Sequence, residues 1–317
     1  MKKILTSTKD LSREEWLEYR KKGIGGSDAG AICGLNRFRS AIDVWADKTG
    51  RAEEKPDSEA MRVGRDLEDY VAKRFEEATG KKVHRRNAMF QDTEHPWMLA
   101  NVDREVVGEN ALLECKTANA YGADRWSGGK VPESYEIQCH HYMAVTGADR
   151  VYIACLIMGI DFVVRTIERD EEVISYLTNI EQDFWEKCIL ADEMPPADGS
   201  EAAGAEILRA YPESDPRLSI EIVGYEKQLA RYDEIKLMQD ELKKEAEEIK
   251  QHIQQEMKDA EVAWIGDRKI TWKSAKPRET LDRKKLEKEH PEIDFGSYMK
   301  VGKASRRFAI SAKKEED

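Results

Sequence analysis

No run of roughly 18 apolar residues occurs in the 317-residue chain, so no membrane-crossing helix is expected. Cysteine is scarce and scattered: Cys33, Cys115, Cys139, Cys155 and Cys188 include no C-x-x-C pair. That spacing argues against a zinc site, a disulfide framework or a cluster-binding cysteine set, and reads as reduced thiols. The opening MKKILTSTKD is basic with no apolar stretch behind it. No secretory signal is expected from it, and the reading is a cytoplasmic protein. Positive charge is in deficit, with 52 Lys and Arg against 63 Asp and Glu and a net charge of −11. The deficit argues mildly against a protein that coats DNA, but not against a DNA enzyme, for which the local field matters. Internal repeats and low-complexity tracts are absent from the sequence.

What is present is a well-charged chain, 36% charged and 40% hydrophobic, with a mean hydropathy of −0.71. It is long enough for one substantial core and a smaller second unit. The first 190 residues alternate helical and strand patterns. A Ser12-x-x-Glu15 capping box opens a short helix ending near Arg20. A second helix starts near Ser27, a third runs through SAIDVWADKTG toward Gly50, and a longer one spans 58–79 and stops at Gly80. KKVHRRNAMF, WMLANVDREVV and NALLECKTA then read as three β segments. A helix through PESYEIQCHHYMAVTG follows, then two strands, RVYIACLIM and DFVVRTIER, joined at Gly159, and a helix over 170–191. The expected fold is α/β (α+β), a small mixed sheet flanked by helices. MPPADGS marks a boundary, giving a domain over 1–195 and an extension over 196–317. In the extension, 221–260 reads as a long amphipathic helix or a hairpin of two, VAWIGDRKITWKS as a β-hairpin, and RRFAIS as a last strand.

Two stretches carry chemistry. KKGIGGSDAGAICGLN (21–36) places five glycines around Ser27 and Asp28, a composition suited to close approach of an anion at a helix start. It lacks the Lys and hydroxyl that follow the glycines of an ATP-binding loop, and Asp28 is expected to repel a triphosphate. The alternative for Gly25 and Gly26 is a tight turn that packs two helices. In ANVDREVVGENALLECKTA, alternation puts Leu112, Glu114 and Lys116 on one face of a strand and Leu113, Cys115 and Thr117 on the other. Asp103 shares a face with Leu99 and Asn101, opposite Val102 and Val106. If the two strands form a hairpin, Asp103, Glu114 and Lys116 converge. Two carboxylates beside a lysine in an apolar element are costly unless they hold a cation, and the set suits metal-assisted phosphodiester hydrolysis. Glu68 lies on the inward stripe of helix 58–79 with Gly64, Val71 and Phe75; its alternative is a salt bridge to Arg62 or Arg65. Gln138 and Tyr142 share a helix face at i, i+4.

Five segments in order, WLEYRKKGIGGSDAGAICGLN, GRDLEDYVAKRFEEATG, LANVDREV, LLECKTA and IQCHHYMAVTG, resemble the PD-(D/E)XK nuclease superfamily. Within it they are most similar to the phage lambda exonuclease-like group containing the YqaJ viral recombinases. The superfamily's Pro is replaced here by Val102. The resemblance implies a restriction-endonuclease-like core and a Mg²⁺-dependent (Mn²⁺ substituting) 5′→3′ exonuclease. Such an enzyme digests one strand of double-stranded DNA to leave a 3′ overhang for recombination. It implies Asp103, Glu114 and the Cys115 backbone carbonyl as metal ligands, Lys116 as catalytic lysine and Glu68 near the metal or a water. Gln138 and Tyr142 match a Q-x-x-x-Y element, and Arg20, Ser27 and Gly26 match a 5′-phosphate pocket. It further implies DNA ends as partner, a homo-oligomer such as a ring-like trimer, a single-strand annealing protein beside it, and a phage or prophage gene in a bacterial cytoplasm. The competing readings are a RecB- or Cas4-like nuclease of other polarity and a non-catalytic DNA-end-binding scaffold.

Overall fold

A computed structural model describes residues 2–52, 57–276, 281–300, 306 and 308–310. The chain forms two compact units, Met1–Pro212 and Glu213–Asp317.

In the first unit, each early helix begins and ends where its capping residues place it. Helix α1 (Arg13–Lys21) starts at a full capping box: Ser12 Oγ accepts from Glu15 N and Glu15 returns the bond to Ser12 N. Helix α2 spans Gly26–Ile32 and α3 spans Ala41–Lys48, the latter opened by a Ser40/Asp43 box. Helix α4 (Glu59–Thr79) stops at Gly80, whose φ of 73° suits glycine alone at low cost. Helix α5 (Glu133–Thr146) ends the same way at Gly147. Helix α6 (Glu171–Phe184) runs on as a π-helical segment, Trp185–Leu190, and α7 covers Glu201–Ala210.

The strands make two sheets where the sequence pattern suggests one. The first, in order β1-β4-β5-β2, joins β1 (Lys2–Ser7), β2 (Ile24–Gly25), β4 (Ala88–Asp92) and β5 (Met98–Ala100). The second, in order β3-β6-β7-β8-β9, joins β3 (Val83–His84), β6 (Arg104–Val106), β7 (Ala111–Ala118), β8 (Arg150–Ile157) and β9 (Asp161–Glu168). It is mixed: β7 and β8 run parallel, with α5 as their crossover, and the other pairs are antiparallel. The segment WMLANVDREVV divides because residues 101–103 leave the ladder between β5 and β6. That break also resets strand parity. Val102 therefore packs with Leu112 while Val106 packs with Leu113 on the other face, and the two valines do not share a side.

The five-stranded sheet is covered on both faces. On one, α5 sets Cys139 and Met143 against Leu112, Val151 and Ile153. On the other, α4 sets Val71 and Phe75 against Leu113, Tyr152 and Ala154. Phe75 is fully buried with its ring 5.4 Å from that of Tyr152. Burial of such a side chain contributes about 1.5–3 kcal/mol. A third cluster joins α2, α3, the π-helical segment and α7 through Ala31, Ile42, Trp45, Cys188 and Ala203. A buried polar bracket ties α5 to α6 and β5. His141 Nδ1 lies 2.8 Å from Glu181 Oε1, and its Nε2–H donates to the Leu99 carbonyl at 2.9 Å.

In the second unit the amphipathic stretch forms a single helix, α8 (Glu226–Met257), rather than a hairpin of two. Its apolar positions Leu229, Tyr232, Ile235, Leu242 and Ile249 are exposed, and Met257 is buried. Strands β10 (Val262–Ile265) and β11 (Arg268–Thr271) form the expected hairpin about Gly266, and α9 covers Arg283–Glu289. In RRFAIS the described residues 306 and 308–310 form no strand; residues 307 and 311 lie outside those described.

Candidate active site

The centre of the site is the end of β7 where it emerges beside β6. These strands pair as a hairpin, with Arg104 opposite Leu113 and Glu105 opposite Leu112. Asp103 therefore falls beside Glu114 and Cys115, and its Oδ2 accepts from Cys115 N at 2.7 Å. Alternation along β7 directs Glu114 and Lys116 toward α5. Lys116 Nζ donates to Glu114 Oε1 at 2.5 Å and to Gln138 Oε1 at 3.1 Å. Gln138 Nε2 in turn donates to Glu114 Oε1 at 2.6 Å and to the Tyr142 hydroxyl at 2.9 Å. The i, i+4 spacing of Gln138 and Tyr142 makes the last contact possible. Tyr135, one turn earlier, puts its ring 4.6 Å from Lys116 Nζ. Asp103, Glu114, Lys116, Gln138 and Tyr142 are thus brought together.

The electrostatics of this cluster invite a cation. Burial pushes the Asp103 carboxyl well above its usual range, and repulsion from Glu114 and Glu68 pushes the same way against the pull of Lys116. Burial opposes the charge of Lys116, but Glu114, Tyr135 and Asp103 outweigh it and raise its pKa, so it stays an ammonium at neutral pH. Glu114 Oε2 is buried with no hydrogen-bond partner. An orphaned carboxylate oxygen beside a second strained carboxylate fits a divalent metal with oxygen ligands. Among the described residues no three His, Cys, Asp or Glu side chains converge into a metal cage. Asp103 and Glu114 are the candidate side-chain ligands, and the carbonyl of Cys115, next after Glu114 on β7, is the backbone candidate. Mg²⁺ tolerates so small a protein set because it keeps several waters.

Glu68 stands outside this hydrogen-bonded cluster. Its Oε1 accepts from Arg104 Nη1 at 2.6 Å and Arg85 Nη2 at 2.8 Å, so its ion pairs are with these rather than with Arg62 or Arg65. Arg104 is nearly fully buried and also pairs with Asp69. Sequence reasoning missed Arg104; the available signal was a charged residue directly after Asp103 on a strand with one buried face.

The glycine-rich stretch forms a second group. Arg20 Nη2 donates to Ser27 Oγ at 3.0 Å and to Asp28 Oδ1 at 3.2 Å, and the guanidinium stacks on Trp16 at 4.9 Å. Asp28 is completely buried. Its oxygens also take Arg39 Nη1 at 2.5 Å, Lys48 Nζ at 2.7 Å and the Gly25 N–H at 3.0 Å. Burial alone would lift its carboxyl, yet Lys48, Arg39 and Arg20 outweigh burial and hold it well below the usual range. The expectation that Asp28 would repel a triphosphate is corrected: three cations enclose its buried carboxylate. Arg39 and Lys48 escaped sequence reasoning because 11 and 20 residues separate them from Asp28.

The glycines answer largely to packing. Side chains at Gly26 and Gly30 would point into α5: a Cβ on Gly26 would lie 2.5 Å from Tyr142 Cε1, and one on Gly30 would lie 3.0 Å from Ser134 Cβ. Gly23 is pressed against the Trp97 carbonyl in the same way, at 2.4 Å. Arg20, Ser27 and Gly26 are therefore joined to the β7 cluster through Tyr142. Gly26→Ala is expected to cost about 1–3 kcal/mol, as overpacking does, and to displace the Tyr142–Gln138 bond. Thermal unfolding with cleavage rates on the same preparation reads both, and an unchanged melting temperature would show slack between the helices.

Residues 15–149, which contain all of these groups, match the YqaJ-like viral recombinase domain. The protein YqaJ of Bacillus subtilis strain 168 is 41% identical over 313 residues, 97% of each chain. Its name states no activity, so the similarity establishes kinship rather than chemistry. Among solved structures, LHK-Exo of Laribacter hongkongensis, crystallised with dAMP, superposes with a TM-score of 0.50 at 20% identity. The match covers 56% of this chain and 93% of LHK-Exo. At that identity the likeness concerns the fold alone, a mixed sheet flanked by helices. Kinship along nearly the whole length and a matching domain over the site lead to one statement: the chain belongs to the YqaJ-like viral recombinase family.

Proposed function

We propose that the protein is a Mg²⁺-dependent 5′→3′ exonuclease that digests one strand of double-stranded DNA from its end, leaving a 3′ overhang for recombination. The observation that carries this reading is the convergence of Asp103, Glu114, Lys116 and Gln138, with Glu114 Oε2 buried and unpartnered. Asp103, Glu114 and the Cys115 carbonyl hold the metal, and Mn²⁺ can replace Mg²⁺. Bound there, the ion polarises a phosphate and lowers the pKa of a coordinated water. Lys116 stays protonated and faces the negative charge that develops on the phosphate. Gln138, fixed between Glu114 and Tyr142, orients the attacking water, and Glu68 serves the same site from α4. Arg20 and Ser27 hold the 5′-terminal phosphate, with Gly26 setting their distance from Tyr142. LHK-Exo, by its name an alkaline exonuclease, adds support through shared fold only.

The same reading assigns the nuclease to residues 1–195 and an auxiliary role to 196–317. It gives the protein DNA ends as substrate, a ring-like trimer as assembly, an annealing protein as partner, and a bacterial cytoplasm as its place of work. The test uses linear duplex carrying either a 5′-phosphate or a 5′-hydroxyl, with Mg²⁺ or EDTA. Digestion from the 5′ end that needs the metal and prefers the phosphate is expected, with the preference weakened in Ser27→Ala. Cutting of closed circular DNA would exclude the end-directed mechanism, and no cleavage with Mg²⁺ or Mn²⁺ would exclude the enzyme.

A further inference from the structure

The β10–β11 hairpin has a composition unlike the rest of the chain. Of the seven tryptophans, only Trp264 and Trp272 are exposed, at 65% and 46%, and both belong to this hairpin. Within residues 261–276 there are four cations, Arg268, Lys269, Lys273 and Lys276, against two acids, Glu261 and Asp267, in a protein whose net charge is −11. None of the four stands in an ion pair among the described residues, whereas Lys48, Arg39, Arg104 and Lys116 in the first unit are all paired.

The register explains how these groups are displayed. Trp264 is paired directly with Lys269, so the two share a face, and Lys269 Nζ lies 5.8 Å from the Trp264 ring centroid. Val262 and Thr271 continue that face. The opposite face carries Ala263 and Ile270, both partly covered, together with Ile265 and Arg268. Trp272 extends the ladder, its N–H donating to the Glu261 carbonyl at 3.0 Å, and alternation puts it with Ile270 and Arg268 on that opposite face, away from Trp264. A flat, exposed indole beside a lysine free of any carboxylate matches the chemistry of an unpaired base joined to a phosphate. The ring stacks on the base and the ammonium meets the backbone. A duplex hides its base faces inside its own stack, which favours a single strand.

We propose that the Trp264 face of the β10–β11 hairpin is a binding site for single-stranded nucleic acid, with Trp264 as the stacking surface and Lys269 and Lys273 as phosphate contacts. The proposal goes beyond the nuclease reading and leans on it only for the origin of the strand, which digestion of the opposite strand would expose. The hairpin binds the strand without cutting it.

The test uses the full-length chain in EDTA, so no cleavage is involved and its outcome is independent of nuclease activity. Fluorescein-labelled dT15 is titrated while its anisotropy and the protein's tryptophan emission are followed. Saturable binding with quenched emission is expected, weakened about tenfold in Trp264→Ala. In Lys269→Gln/Lys273→Gln, changes confined to surface charge, the slope of log affinity against log salt should fall by about 1.4, the loss of two single-strand phosphate contacts. Equal affinity in wild type and both variants would show that dT15 is bound elsewhere and overturn the proposal. So would an absence of binding, or stronger displacement by polyglutamate than by unlabelled dT15, which would mark an acidic polypeptide as the occupant.

Discussion

Lys116→Ala is expected to slow cleavage of a linear duplex by about 10²–10³-fold, the loss that follows removal of a preorganised charge facing a transition state. The structure gives reason to think that the loss will be chemical rather than structural. Glu114 Oε1 keeps its 2.6 Å hydrogen bond from Gln138 when the lysine is gone, and removing a cation from beside Asp103 leaves the metal's attraction for both carboxylates intact. Lys116→Met, which preserves the aliphatic bulk over Tyr135, should show the same rate deficit. Its melting temperature should fall, because the buried carboxylates are left without their ammonium, and bound Mg²⁺ should partly restore it. Single-turnover rates at saturating DNA, with unfolding curves for each variant, make the comparison. A rate within tenfold of wild type in both variants would remove Lys116 from the chemistry.

The second large effect is expected at Asp28. Asp28→Ala leaves Lys48 with no carboxylate in a site where the side chains of both residues are fully buried, strands the Gly25 N–H, and leaves Arg39 with Asp47 as its remaining carboxylate. Removing one member of a buried ion pair costs about 3–5 kcal/mol. For a unit of this size that corresponds to a melting temperature lower by roughly 6–20 °C. Asp28→Ala combined with Lys48→Met should recover part of the loss, because the second change removes the charge left unpaired. Strict additivity of the two in urea unfolding would show that they do not act as a pair. The contribution of Asp28 also has a defined pH window. Its carboxyl is depressed in the folded state, so the stabilisation is complete above the unfolded value of about 3.9 and fades as pH falls through the folded one.

The helices were legible because their ends carry local chemistry. Ser12 with Glu15, Ser40 with Asp43, and the glycines at 80 and 147 announce starts and stops within a few residues of themselves. Strand β7 was legible through its alternation, and with it the convergence of Glu114 and Lys116 with Asp103; that Gln138 meets them is seen only in the fold. Strand β1 was not. Its residues are exposed or half-buried without a period of two, since it lies at the edge of its sheet and is recognisable only through its partner β4. The division into two sheets depends on a break of three residues, 101–103, that looks like continued strand in sequence. The cations around Asp28, and Arg104 on Glu68, were invisible for a different reason. Ion pairs between residues 11, 20 or 36 positions apart leave no local pattern; only the fold reveals them.

The contact of α2 with α5 leaves no room for one additional methyl group at Gly26. Tyr142, which fills that contact, is hydrogen-bonded to Gln138 and through it to Glu114. On the proposed function, this makes the pair of helices a ruler. One end grips the terminal phosphate at Arg20 and Ser27, the other positions the bond to be cut, and the span between them is set by van der Waals contact rather than by a flexible loop. A ruler of fixed length trims in equal steps whatever the sequence of the strand.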